Sequence, residues 1–132
     1  MFVSDSYLNI AVAYWIKSSA DDVVGGPVTE VYPETIKDTV EMLNGLREKY
    51  DDGFLAMHVY VRYGSWFVNM YVNATNEVDY DLKRGNYKGV PHYIINITSV
   101  HGVSMVCELL KVLDECSGDM EEFGNFLRVW LS

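Results

Sequence analysis

The chain has 132 residues, 49% apolar and 22% charged, with 19 acidic against 10 basic side chains and a formal net charge of −9. That length fits one domain with a sizeable core, and that composition excludes a disordered chain. The negative surplus argues against a protein that grips DNA, RNA or anionic lipid directly, and favours a basic partner.

From Tyr7 to Ile16, residues Leu8, Ile10, Val12, Tyr14 and Ile16 alternate with Asn9, Ala11, Ala13 and Trp15. That period of two predicts a strand with both faces largely apolar. Residues 17–33 contain Ser18-Ser19, Asp21-Asp22 and Gly25-Gly26-Pro27, and read as a long loop holding a short strand from Val28 to Tyr32. Glu34 to Tyr50 predicts a helix. Ile36, Val40, Leu43, Leu46 and Tyr50 share one stripe; acidic residues come early, and Arg47 and Lys49 come late, matching the helix dipole. Pro33 suits the first turn, and Asp51-Asp52-Gly53 supplies the stop.

Gly64-Ser65 separates two alternating runs and fits a two-residue type II′ hairpin turn. That turn sets Tyr63 opposite Trp66, Val61 opposite Val68, Val59 opposite Met70 and Met57 opposite Val72. One face is then wholly apolar, while the other carries His58, Tyr60, Arg62, Phe67, Asn69 and Tyr71. A second hairpin is expected from Glu77 to Thr98, turning at Arg84-Gly85-Asn86, with Pro91 favouring a strand start or an edge. Thr98 or Ser99 can cap a mostly buried helix through Val103, Val106, Cys107, Leu110 and Leu113. Asp119 with Glu122 resembles a capping box before a last helix, whose Met120, Phe123, Phe126, Leu127, Trp130 and Leu131 pack inward. The expected fold is α+β: an antiparallel sheet of four to five strands with about three helices on one face.

Catalytic and metal chemistry find little support. Cys107 lies on a buried helical stripe six residues after His101, so the two project from different sides; His58 and His92 lie on strands without an evident nucleophile. Cys107 and Cys116, nine residues apart, would sit about 13 Å apart on a continuous helix, too far for a disulfide, so reduced thiols are expected. Glu77, Asp79 and Asp81 place three carboxylates on one strand face at intervals of roughly 6.7 Å, an extended geometry that does not converge on calcium. No metal site and no cofactor is expected. With neither a signal peptide nor an apolar run of about 18 residues, the expected location is the cytoplasm, with no membrane contact.

The acidic residues gather at Glu48, Asp51 and Asp52; at Glu77, Asp79 and Asp81; and at Asp114, Glu115, Asp119, Glu121 and Glu122. Charge runs often serve solubility alone. The sharper reading makes Glu77, Asp79, Asp81, Asp51 and Asp52 a surface for a basic nucleic-acid-binding protein, with Tyr60, Phe67 and Tyr71 as anchors. A homodimer through that aromatic face is the alternative use.

Gly64 and Phe67, then Val78-Asp79-Tyr80-Asp81-Leu82, then Tyr87-Lys88-Gly89 and a mostly apolar helix with the early Gly102, resemble the ArdB/KlcA antirestriction proteins of plasmids and phages. The resemblance spans roughly residues 36–115. It departs after the hairpin phenylalanine, where Val68-Asn69-Met70-Tyr71 stands in place of the family's Tyr-Met-Ala-Pro. It implies an intracellular, non-enzymatic inhibitor of a host nucleic-acid-processing defence complex, of antirestriction or anti-CRISPR type. Two other readings compete: an immunity protein neutralising a toxin nuclease, and a small histidine-dependent enzyme using His58 or His92.

Overall fold

Alternation along the strands decides which side of the sheet is covered. A computed structural model describes residues 8–17, 28–50, 54–73, 79–87, 90–99 and 101–130, with 79–87, 90 and 91 described through their backbone. The elements are β1 (Leu8–Ile16), β2 (Thr29–Val31), α1 (Ile36–Tyr50), β3 (Leu55–Tyr63), β4 (Trp66–Asn73), β5 (Asp79–Tyr87), β6 (Val90–Thr98), α2 (Gly102–Glu115) and α3 (Met120–Trp130). The strands form one sheet in the order β2-β1-β3-β4-β6-β5.

The α+β class read from the sequence is the class observed. Two details of the sheet differ from expectation. Five long strands are joined by the three-residue β2, making six. The sheet is also not wholly antiparallel, because β6 runs parallel to β4, pairing Val68 with Tyr93 and Val72 with Ile97. The chain leaves β4, passes over one strand position to form β5, and returns as β6 into the vacant slot. That crossing is roughly 10 Å, which a few residues span easily.

The β3–β4 hairpin has the expected register: Tyr63 pairs with Trp66, Val61 with Val68, Val59 with Met70 and Met57 with Val72. Gly64 has φ of 60°, whereas Ser65 does not share the left-handed region. Positive φ at the first central residue alone is the type II′ requirement, which glycine meets without steric cost. The turn expected at Arg84-Gly85-Asn86 is displaced. β5 runs on through these residues to Tyr87, and Gly85 pairs with His92 inside the ladder. Pro91 pairs with Asn86 but lies before the first β4 partner, His92. Its missing N–H therefore falls where β6 has a strand on one side only.

The inward rows are Ile10 and Val12 on β1, Leu55, Met57, Val59 and Val61 on β3, Val68, Met70 and Val72 on β4, and Tyr93, Ile95 and Ile97 on β6, all buried. They form one core with Ile36, Val40 and Leu43 of α1, Val103, Val106, Leu109, Leu110 and Leu113 of α2, and Met120, Phe123 and Leu127 of α3. Each such side chain contributes roughly 1.5–3 kcal/mol on full burial, so this layer dominates stability. All three helices thus cover the same face.

The caps are local. α1 begins at Ile36, two residues later than the Glu34 expected from the sequence, because the Thr35 hydroxyl accepts the Asp38 N–H at 3.0 Å as an N-cap. Ser99 precedes α2 and its hydroxyl accepts the His101 N–H, while His101 itself makes no side-chain cap. The Asp119 carboxylate accepts the Glu122 N–H at 3.1 Å and opens α3. Two close approaches seat these helices. A Cβ at Gly102 would collide with Val72, and one at Gly124 would collide with the Tyr93 hydroxyl.

Cys107 and Cys116 are free thiols, both buried. No described helix is long and apolar enough to cross a membrane.

Candidate functional site

The face opposite the helices is built by the register alone. Ala13 of β1 lies between Glu30 of β2 and His58 of β3; His58 then lies beside Tyr71 of β4, and Tyr71 beside Asn96 of β6. In the next row Ala11 adjoins Tyr60, Tyr60 adjoins Asn69, and Asn69 adjoins Ile94. Below that, Asn9, Arg62, Phe67 and His92 follow one another across four strands. Most of these side chains are half-buried by their neighbours, and Tyr71 is 42% exposed.

The face is ordered by ring contacts. His58 and Tyr71 stack, and Tyr60 and Phe67 meet at a tilt with centroids 5.6 Å apart. The Arg62 guanidinium lies 5.4 Å from the Phe67 ring centre, and its Nε donates to the Gly64 carbonyl at 3.3 Å. With the Asn69 Oδ1 accepting at 2.9 Å, the His58 Nε2 is the donor. These contacts hold rigid aromatic side chains at a surface. That is the chemistry of an adhesive patch, because rings bring large contact area at little entropy cost.

The structure therefore brings together Tyr60, Phe67 and Tyr71. Of the acidic residues singled out, Asp81 continues the His58–Tyr71 row by register, because its partner Asn96 lies beside Tyr71. Asp79 and Asp81 lie on the edge strand β5, in register with Thr98 and Asn96 of β6. Glu77, Asp51 and Asp52 lie outside the described residues. Asp114, Glu115, Asp119, Glu121 and Glu122 are exposed around the α2–α3 turn, on the helical side. α2 starts against Val72 and Ile97, whereas α3 packs Phe123 on Tyr93. The α2–α3 turn thus sits toward the beginning of β6 and Asp79 at its end, about 17 Å apart along the strand. The acidic residues Asp114, Glu115, Asp119, Glu121 and Glu122 therefore lie on the helical side, apart from the positions of Asp79 and Asp81 on β5.

Burial pushes the Cys116 thiol above its usual range, and the charges of Glu122, Asp119 and Glu115 push it further. Such a thiol is a poor nucleophile. Among the described residues no group of three or more His, Cys, Asp or Glu converges to hold a metal ion.

One feature escaped the sequence reading. Ala11 and Ala13 form the floor of a groove of 240 Å³, walled by His58 and Tyr60 on one side and by Glu30 and Tyr32 on the other. Tyr32 donates to Glu30 Oε2 at 3.1 Å, and that bond, then the carboxylate's charge, pushes the phenol's pKa above its usual value. Two alanines at alternate strand positions were the available signal, but one wall comes from Glu30 of β2 and Tyr32 just after it, within a segment read mainly as loop.

No protein-family model, no curated protein and no solved structure matches the chain.

Proposed function

We propose that this chain is a non-enzymatic inhibitor that docks the open face of its sheet on a basic, nucleic-acid-processing protein of a host defence system, in the cytoplasm. The carrying observation is the set of ordered aromatic side chains, His58, Tyr60, Phe67 and Tyr71, on the face opposite the described helices, on a chain of net charge −9. Rings supply contact area at the centre of an interface, and long-range negative charge steers a basic partner to it. The resemblance to the ArdB/KlcA antirestriction proteins favours a restriction or CRISPR complex as that partner. A histidine-dependent enzyme has less behind it: the His58 ring is held flat against Tyr71 and bonded to Asn69, in a structural arrangement.

The test is capture from host lysate by the immobilised protein at low and at high salt. The expected result is one basic nucleic-acid-processing protein or complex, retained at low salt and weakened at high salt. Reversal of Glu77, Asp79 and Asp81 to Lys should abolish inhibition with the fold intact. Capture of a toxin nuclease would assign the immunity reading instead. Self-association with no other partner would assign a homodimer.

A further inference from the structure

The groove over Ala11 and Ala13 has a size and chemistry of its own. Its 240 Å³ falls below the roughly 300–1,000 Å³ typical of cofactor and drug-sized ligand sites, which leaves room for one side chain. The walls stand on β3 and on β2 with the residue that follows it, two strand spacings or roughly 10 Å apart, with β1 between them carrying only methyl groups into the gap. Among the lining residues Glu30 is the one carboxylate, and Tyr32 and Tyr60 place a phenol ring on each side. Tyr32 fixes Glu30 by donating to Oε2, and a carboxylate has lone pairs for further donors. A carboxylate beside a slot walled by aromatic rings selects a cation, and a flat one best, since guanidinium both forks onto a carboxylate and stacks on rings.

We propose that this groove receives an arginine side chain of the partner protein. The guanidinium pairs with Glu30 and lies between Tyr32 and Tyr60, over the two alanines. This rests on the docking reading above and names the group that the face selects. It explains why β1 carries alanine where its neighbours carry rings: a larger residue at either position would close the slot.

The experiment titrates the whole protein with N-acetyl-arginine methylamide, following amide and tyrosine ring resonances. The neutral citrulline counterpart and the lysine counterpart serve as controls. Saturable shifts confined to Ala11, Ala13, Glu30, Tyr32 and Tyr60 are expected for arginine, weaker ones for lysine and none for citrulline. Glu30→Gln should weaken arginine binding by up to roughly fivefold, the reach of an exposed ion pair, and Ala13→Leu should abolish it; unchanged thermal unfolding of both variants keeps the comparison valid. Equal binding of citrulline, an unaffected Glu30→Gln, or shifts mapping elsewhere would overturn the proposal. Full partner capture by Ala13→Leu would overturn it too while leaving the docking reading intact. Arginine binding without any captured partner would instead remove the docking reading and leave the groove.

Discussion

The Tyr71 ring lies against the His58 imidazole with centroids 4.3 Å apart and planes within 6° of parallel. These two residues face each other across the β3–β4 ladder, on the side opposite the described helices. Because Tyr71 is 42% exposed, its ring protects little core. Tyr71→Ala is expected to lower stability by only about 1 kcal/mol, the worth of one aromatic contact. Partner capture should fall at least tenfold, as at an interface anchor. Urea denaturation and a capture assay measure the two effects separately.

Behind the sheet, Gly124 and Tyr93 are matched in shape. The Tyr93 ring stacks on Trp66, meets Phe123 edge-on and donates its hydroxyl to the Met120 carbonyl at 3.3 Å. An alanine methyl at Gly124 has no room beside that hydroxyl. Gly124→Ala should therefore destabilise by about 1–3 kcal/mol, despite the roughly 1 kcal/mol that alanine gains over glycine in a helix. Tyr93→Phe in the same chain should recover part of the loss. A double-mutant cycle in urea would show that coupling as non-additivity.

Cys116 offers a pH-dependent readout. Its thiol is raised first by burial and then by Glu122, Asp119 and Glu115. At a given alkaline pH it should react with iodoacetamide more slowly than an unfolded cysteine, and Glu122→Gln should speed it. The unfolded thiol ionises first, near pH 8.5. This group's contribution to stability is therefore intact below that value and declines as pH rises through the folded value. Alkylation rates from pH 7 to 10, with and without denaturant, check both statements.

How much of this was legible in the chain depends on the range of the forces involved. Gly64-Ser65 and the strict alternation around it fixed the β3–β4 register, since a slip of one residue would turn every apolar side chain to water. The Asp119 cap was legible because its side chain bonds within three residues, whereas the equally local Thr35 cap escaped a reading that starts the helix at Glu34. The parallel β4–β6 pairing was not legible, because consecutive strands suggest neighbours and nothing local says that β6 will slip between β4 and β5. Gly85 looked like a turn residue, yet ladder pairing with His92 overrides that preference. Tyr60, Phe67 and Tyr71 could be placed on one face from the hairpin alone. The groove beside them could not, because Ala11 and Ala13 acquire meaning only once Glu30 and Tyr32 arrive from β2.

The central claim is that the open face, and not the acidic helical side, makes the contact. Capture from host lysate by three forms of the protein tests it most directly: the native chain, Tyr60→Ala with Tyr71→Ala, and Asp114→Lys with Glu115→Lys. The last pair lies exposed in the final turn of α2, where positive charge suits the helix dipole and the fold should hold. Loss of the partner by the tyrosine variant, with retention by the lysine variant at moderate salt, is the predicted result. Retention by the tyrosine variant with loss by the lysine variant would contradict the account.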